Sequence, residues 1–377
     1  MTKPVVRFID LKAQFRALEQ QIRARMDAVL EHGQYIMGPE IRELEEKLAA
    51  YVGVKHTITA ASGTDSLEIA LRALDIGPGD EVITVPFTWI STAEVIGQVG
   101  ARPVFIDIDP ATYNMNVDLL EGAITPQTKA IMPVSLFGQM PDYERINAIS
   151  ARHGNLPIIE DGAQSFGATQ HGRRSCGVTT IGSTSFFPAK PLGCYGDGGA
   201  LFTNDDQLAD TMRAIRTHGG LQRHNHPYIG MNGRMDTLQA AILLAKLERF
   251  DWEVQRRQEI GARYTTLINA ARTLQSVLTP VLAEGNTSVY AQYTIRTQNR
   301  DSLAAYLKEQ SIPTAVYYPK CLHEQPAFAF CGYKWGDFPE SEQASREVLS
   351  LPMHPYLTEN EQERVIAVFH SALSFQF

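Results

Sequence analysis

Between Thr57 and Thr203 the chain repeats one unit: a short apolar, β-prone run, a break at Gly, Pro or small polar residues, and a stretch with helical spacing. Thr57–Ala61, Glu81–Val85, Pro103–Ile108, Ala130–Val134, Leu156–Ile159, Thr184–Phe187 and Ala200–Thr203 read as strands. Leu67–Leu74, Ser91–Val99, Tyr143–His153 and Asp205–Arg216 read as helices. A chain that alternates in this way is expected to build a largely parallel sheet with helices on both faces. Such sheets collect ligands at the carboxyl ends of their strands. Thr64, Trp89, Asp161 and Lys190 each fall just after a strand-like run, so the pattern alone points to one shared site.

The flanks follow different rhythms. Asp10–Ala28 and Glu40–Tyr51 have helical spacing. In the second, Ile41, Leu44, Leu48 and Tyr51 share a face, and its glutamates and Arg42 are expected in solvent. His218–Arg234 is a polar loop, and Asp236–Ala271 carries one long helical period. Thr279–Thr297 alternates like a strand, Ser302–Glu309 reads as a helix, and Ala315–Tyr318 reads as a strand. Ser341–Leu349 and Glu359–Leu373 read as helices. The expected division is residues 1–250, holding the N-terminal helices and the large α/β domain, and residues 251–377, a smaller α+β domain.

With 377 residues the chain can bury one large core and a second smaller one. A net charge of -8 argues against nucleic-acid binding. No apolar run approaches ~18 residues, so no membrane span is expected. Met1–Asp10 lacks a signal-peptide core, which makes the cytoplasm the expected compartment. Cys176, Cys194, Cys321 and Cys331 form no CxxC pair and are expected as buried free thiols. There is no HExxH. His224 and His226 lie in a polar loop, and no metal is expected.

The segment Ser185-Phe186-Phe187-Pro188-Ala189-Lys190, followed by a glycine-rich run to Gly199, suits a lysine that forms a covalent bond to a carbonyl cofactor. Phe186, Phe187 and Tyr195 could desolvate the amine and favour its neutral form. Ser185 could offer a hydroxyl to a phosphate. A surface lysine in a Gly-rich turn is the competing reading of this stretch alone. Ser62-Gly63-Thr64-Asp65-Ser66 stands between a strand and a helix, where backbone N–H groups favour an anion. Asp65 and Glu68 have capping-box spacing. Asp161 could hold a pyridine nitrogen protonated, Gln164 could bond a ring hydroxyl, and Trp89 could cover a ring face. Singly, these residues are equally at home as a helix-capping carboxylate, a solvent amide and a core aromatic.

Together they resemble the pyridoxal phosphate (PLP)-dependent nucleotide-sugar aminotransferases of the DegT family over nearly the whole chain. The matching pieces run in order from Gly38-Pro39-Glu40 through Ser62–Leu67, Gly79–Ile83, Pro86–Trp89, Glu160–Ser165 and the lysine stretch to Gly230–Arg234 and Leu349–Pro352. The resemblance implies the aspartate-aminotransferase (type I) fold, with Lys190 the Schiff-base lysine and Asp161 the partner of the ring nitrogen. Gly63, Thr64 and Ser185 would hold the phosphate, Trp89 would stack on the ring, and Gln164 would meet its hydroxyl. The asparagine matching Asn232 reaches the neighbouring subunit's cofactor, which implies a homodimer with shared sites. Lys190 argues against the dehydratase branch, which carries histidine there. Ala189 departs from the family's usual serine, and Lys320-Cys321 departs from a small or proline pair.

Glu160–Ala168 and Lys190–Ala200 look most like the branch acting on a 3-keto UDP-N-acetylglucosaminuronate, with L-glutamate as amino donor, for surface polysaccharide such as O-antigen. Arg234 is the expected partner of the C6 carboxylate, with an ion pair in the subunit interface as the competing role. Tyr317, Tyr318 and His323 fall where the family lines its sugar pocket. A 3- or 4-keto-6-deoxy sugar on UDP or dTDP is the alternative substrate. A non-catalytic ligand-binding or regulatory relative is the alternative class.

Overall fold

A computed structural model describes residues 6–222, 224–270 and 277–374. The first two helices are set by local signals. Helix α1 (Leu11–His32) starts where Asp10 accepts a hydrogen bond from the Ala13 N–H, and stops at Gly33, whose positive φ lets its N–H close on Val29 O. Helix α2 (Pro39–Val52) begins with proline and buries Ile41, Leu44, Leu48 and Val52. Its glutamates are not all solvated. Glu45 accepts from Thr59 N and Oγ1 and pairs with buried Arg216 at 2.6 Å, while Glu40 is buried beside His32.

The large sheet is built from β1 (His56–Ala60), β2 (Glu81–Thr84), β3 (Arg102–Phe105), β4 (Thr128–Ile131) and β5 (Ile159–Asp161). A two-residue hairpin follows, β6 (Thr169–Gln170) and β7 (Arg173–Arg174), and then β8 (Ile181–Ser185) and β9 (Gly199–Thr203) complete the sheet. Helices α3 (Gly63–Ala73), α4 (Ser91–Gln98), α5 (Val117–Ala123), α6 (Tyr143–Arg152) and α7 (Asp206–Arg216) connect the strands. Among the described residues the order is β1-β9-β8-β5-β4-β2-β3, with parallel bridges Ile131–Ile158 and Val134–Asp161 joining β4 to β5. Only β9 runs against the rest, pairing antiparallel with both β1 and β8. Six strands therefore present their carboxyl ends along one edge, and the site is built there. β1 and β2 carry β-branched or apolar residues that are buried on both faces, as a sheet covered by two helical layers requires.

The long helical stretch after Asp236 is two helices, α8 (Thr237–Leu247) and α9 (Phe250–Ala270), and Ala271 lies outside the described residues. The break at Glu248–Arg249 has a packing cause. Helix α8 is buried from Ala240 to Lys246 against α1 and α2, whereas α9 buries only one stripe, Val254, Arg257, Ile260, Tyr264 and Ile268, and crosses to a second core. That core is closed by β10 (Val277–Leu278), β11 (Tyr293–Thr297) and β12 (Val348–Leu351), an antiparallel sheet, with α10 (Arg300–Glu309) and α12 (Glu359–Ser374).

Three expected elements have other bounds than the pattern suggests. Residues 279–292 form no strand, because this segment is tied instead to Gln139, through Val281 O and Ala283 N, and to Met140 O, through Asn286. Helix α11 (Pro339–Glu347) ends before Val348, which enters β12 opposite Arg296. Of Ala315–Tyr318 only Ala315 pairs, with Ser350, after which the chain turns back to the large core. The four cysteines are buried free thiols.

Candidate active site

Three loops at the carboxyl edge come together. The first opens α3. Its N-cap is Ser62, whose Oγ accepts from the Asp65 N–H at 3.0 Å. The helix therefore starts at Gly63, earlier than expected, and Glu68 pairs with Arg72 rather than closing a capping box. Gly63 is packed so tightly that a Cβ there would lie 2.6 Å from Ser185 Cβ, and a Cβ on Gly199 would lie 2.3 Å from Ser62 O. Thr64 Oγ1 is 2.8 Å from Ser91 Oγ. A helix N-terminus, two neighbouring hydroxyls (Thr64, Ser185) and a glycine that brings backbone against Ser185 make a donor set suited to a phosphate.

The second loop carries Lys190 and folds on itself. Lys190 N donates to Phe187 O, Cys194 N donates to Phe186 O, and Gly193 sits so close to Pro188 O that a Cβ would come within 2.5 Å. From α8, the buried Lys246 ammonium donates to Gly193 O at 2.5 Å and lies 4.1 Å from the centre of the Tyr195 ring. The expected aromatic setting of Lys190 is therefore divided. Phe186 is core, packed on Phe166; Phe187 is exposed; and Tyr195 lies against Lys246. Lys190 is half-buried on the cleft wall. Desolvation pushes its amine below the ordinary lysine value, against the opposing charge of Asp161.

The third loop follows β5. Asp161 is buried at the strand's end. Its carboxylate accepts from Thr92 Oγ1 at 2.7 Å and from Ala163 N at 3.2 Å. Burial raises its pKa, while these two bonds and the Lys190 charge draw it back. A buried carboxylate in this position calls for a cationic partner, and a protonated ring nitrogen is one. The phosphate cradle, the partly desolvated lysine and this carboxylate all fit PLP.

Behind Asp161, Glu160 is fully buried and satisfied by Ser135, Ser175 and Cys176 N. Gln164 accepts from Phe137 N at 2.9 Å and donates to the Tyr318 hydroxyl at 3.1 Å. Tyr318 packs on Phe87 and on Trp89, ring centres 6.3 and 6.0 Å apart. Trp89 itself is 57% exposed, a solvent-facing ring rather than a core aromatic. Tyr317 turns toward Phe8.

Not every expected residue joins this group. His323 is core: its Nε2 is 3.1 Å from Glu342 Oε1 and its ring packs on Phe338. Asn232 is exposed, bridging Thr217, and Arg234 is half-buried with its Nε enclosed and without a hydrogen-bond partner among the described residues. Neither is hydrogen-bonded to the Lys190–Asp161 group among those residues. Thr92, Lys246 and Glu160 contribute although the sequence did not single them out for the site. Each acts through a partner distant along the chain, so no local signal marked it.

A family model described as the DegT/DnrJ/EryC1/StrS aminotransferase family matches residues 16–370. A Pseudomonas aeruginosa protein named UDP-2-acetamido-2-deoxy-3-oxo-D-glucuronate aminotransferase is 53% identical, covering 94% of this chain and 96% of its own length. A Geobacillus stearothermophilus protein named pleiotropic regulatory protein is 47% identical, covering 96% of each. Among solved structures, S. venezuelae DesV in complex with a ketimine intermediate superposes with a TM-score of 0.95 at 38% identity, over 98% of this chain and 99% of that one. A putative sugar aminotransferase from Streptococcus pneumoniae in its PLP form gives 0.87 at 26% identity, over 94% and 96%.

Proposed function

The chain belongs to the DegT/DnrJ/EryC1/StrS aminotransferase family, PLP enzymes of the type I fold, and on that premise we propose that it moves an amino group from L-glutamate to the C3 keto group of a UDP-2-acetamido-2-deoxy-3-keto-glucuronate. The observation that carries this reading is the 53% identity, across nearly all of both chains, to a protein named for that substrate. The 3-amino sugar would serve surface polysaccharide such as O-antigen, made in the cytoplasm. No helix among the described residues is long and apolar enough to cross a membrane.

Bound PLP supplies an electron sink, which lets a proton leave the carbon bearing the amino group. This chain's residues do the rest. Lys190 would hold the cofactor, and its amine would be the base that carries the proton between carbons. Its amine suits that work because burial favours its neutral form. Asp161, aligned by Thr92 and Ala163, keeps the ring nitrogen protonated. Gly63, Thr64 and Ser185 would hold the phosphate, Gln164 would meet the ring hydroxyl, and Trp89 would cover the ring. Tyr317 and Tyr318 line the sugar side. The burial of His323 argues for leaving it out.

Arg234 binds the C6 carboxylate. Its enclosed, unpartnered Nε supports that role, since a guanidinium grips a carboxylate with two bonds. Asn232 and Arg234 work across a homodimer. Supporting this, Tyr35, Ile36 and Met37 are exposed apolar residues next to the segment that follows Arg234, with Ile36 bridging Asp236 and Tyr35 O accepting from Thr237 N.

The test is a visible spectrum of PLP-loaded protein, with glutamate added and then candidate keto-sugars, beside Lys190→Ala. Glutamate should bleach the band of the lysine-bound cofactor, and the 3-keto uronate should restore it. Restoration by a 6-deoxy sugar alone would move the assignment to the 3- or 4-keto-6-deoxy UDP- or dTDP-sugars. Absence of the band in the wild type would favour a ligand-binding or regulatory role.

A further inference from the structure

The two hydroxyls of the phosphate cradle are not equally free to donate. A hydroxyl has one proton to give. Ser185 Oγ accepts from the Phe187 N–H at 3.2 Å, so its own proton can go to a phosphate. Thr64 stands otherwise. Its Oγ1 is 2.8 Å from Ser91 Oγ, and Ser91 Oγ in turn donates to Glu94 Oε1 at 3.1 Å. Because the Ser91 proton is committed to the carboxylate, the bond between Thr64 and Ser91 must use the proton of Thr64. The chain of bonds therefore runs one way, from Thr64 through Ser91 to Glu94.

Two helices supply this geometry. Thr64 lies in the first turn of α3, and Ser91 and Glu94 lie in the first turn of α4. Ser91 is buried and Glu94 is half-buried, so solvent does not freely replace either partner. Among the described residues no cation pairs with Glu94, and Ser91 is the side-chain donor that meets it. Thr64 cannot keep its bond to Ser91 and also donate to a phosphate. If it turns its proton to the phosphate, Ser91 has to donate back to Thr64, and Glu94 loses its donor. A hydrogen bond to a carboxylate is about twice as strong as one between neutral groups, so this loss opposes phosphate binding.

We propose that Glu94 sets how tightly the cradle holds a phosphate, by drawing the protons of Ser91 and Thr64 away from it. This role rests on the PLP reading above and divides the cradle in two. Ser185 and the N–H groups that open α3 are standing donors, and Thr64 is a donor that must first be released. Ser91 and Glu94 are positioning residues, since each acts through Thr64.

The test is a fluorescence titration of the full-length protein, freed of cofactor, with PLP, with inorganic phosphate, and with pyridoxal, which has the aldehyde and no phosphate. Glu94→Gln gives Ser91 an amide that accepts more weakly and can donate instead. It should tighten PLP and inorganic phosphate about three- to tenfold and leave pyridoxal within about twofold. Removing a negative charge near the cradle would also tighten phosphate through space, so the same change is made in a Ser91→Ala background. There the chain of bonds is cut, and Glu94→Gln should alter PLP affinity by less than about twofold. Ser91→Thr, which keeps a hydroxyl, should restore the effect of Glu94→Gln. Unchanged PLP affinity in Glu94→Gln would overturn the proposal, because the Thr64 hydroxyl would then take no part in holding the phosphate. Equal tightening in both backgrounds would overturn it in favour of charge repulsion alone, and an equal shift with pyridoxal would overturn it in favour of a general disturbance of the site. Glu94-dependent binding of inorganic phosphate by a protein in which PLP gives no lysine-bound band would keep the proposal and overturn the aminotransferase reading.

Discussion

Lys246 holds the lysine loop by a charge that the fold pays for, and the cost has a definite pH window. Its side chain is buried, donating to Gly193 O and lying over Tyr195. Desolvation lowers its pKa from 10.5 to about 8, against the opposing influence of Glu253 and Cys194. Below pH 8 the folded and unfolded chains both carry the proton and the penalty is complete. At about 1.4 kcal/mol per pH unit between the two values, that penalty is about 3 kcal/mol at neutral pH. Between pH 8 and 10.5 the unfolded chain binds a proton that the folded chain has shed, so stability rises with pH. Lys246→Met removes the penalty together with the hydrogen bond to Gly193 O and the contact with Tyr195, which are worth roughly 1–3 and up to about 2 kcal/mol. The variant should therefore lie within about 1 kcal/mol of wild type at pH 7.5. At pH 9.5 the wild type should have gained roughly 2 kcal/mol that the variant has not. Denaturant unfolding of both proteins at the two pH values measures the difference. Parallel behaviour, with the same gap at both, would refute the claim that a buried, partly uncompensated ammonium secures this loop.

Three other outcomes are expected. Gly63→Ala, which sets a methyl 2.6 Å from Ser185 Cβ, should weaken PLP binding at least tenfold in a fluorescence titration of the apoprotein; unchanged affinity would exclude this turn as the phosphate cradle. His323→Leu should cost roughly 1–3 kcal/mol in unfolding, because it removes one partner of buried Glu342, which keeps the Gly336 N–H, and should leave the sugar KM within about twofold. A raised KM at full stability would return His323 to the pocket. Arg216→Met should cost about 3–5 kcal/mol, since it leaves Glu45 beside Thr59 without its buried counter-charge; urea unfolding would show no such loss if the pair were solvated.

The sheet's strands were readable because they are short, β-branched and bounded by Gly or Pro, and because six of them run the same way. The reversed direction of β9 was not, since nothing within Gly199–Thr203 states which neighbours it will meet. The same limit explains the errors after residue 236. Leu238 to Phe250 keeps a helical period through the break at Glu248–Arg249, and only the need to bury different faces in different cores ends α8 there. Val348 continues a helical pattern until Arg296 claims it for β12. At the site, Asp161 and Lys190 were legible from their positions at strand ends. Thr92 and Lys246 were not, because a polar residue on a helix reads as solvated until a distant partner is known. His323 erred the other way: its place in the chain suggested a pocket, and Glu342 and Phe338 enclose it.

The pairing of β1 with β9 sets His56 against Thr203, and α1 lies on α8, which begins at Thr237. The first strand synthesised therefore waits for one of the last strands of its sheet, and the first helix waits longer still. Tyr318 and the Leu322 N–H, which donates to Pro86 O, arrive later than either. A chain emerging from the ribosome would expose the apolar faces of α1 and β1 for most of its synthesis, and closing such long loops is slow. This protein should therefore depend on chaperones during synthesis, and fragments stopping short of residue 203 should aggregate rather than bind cofactor.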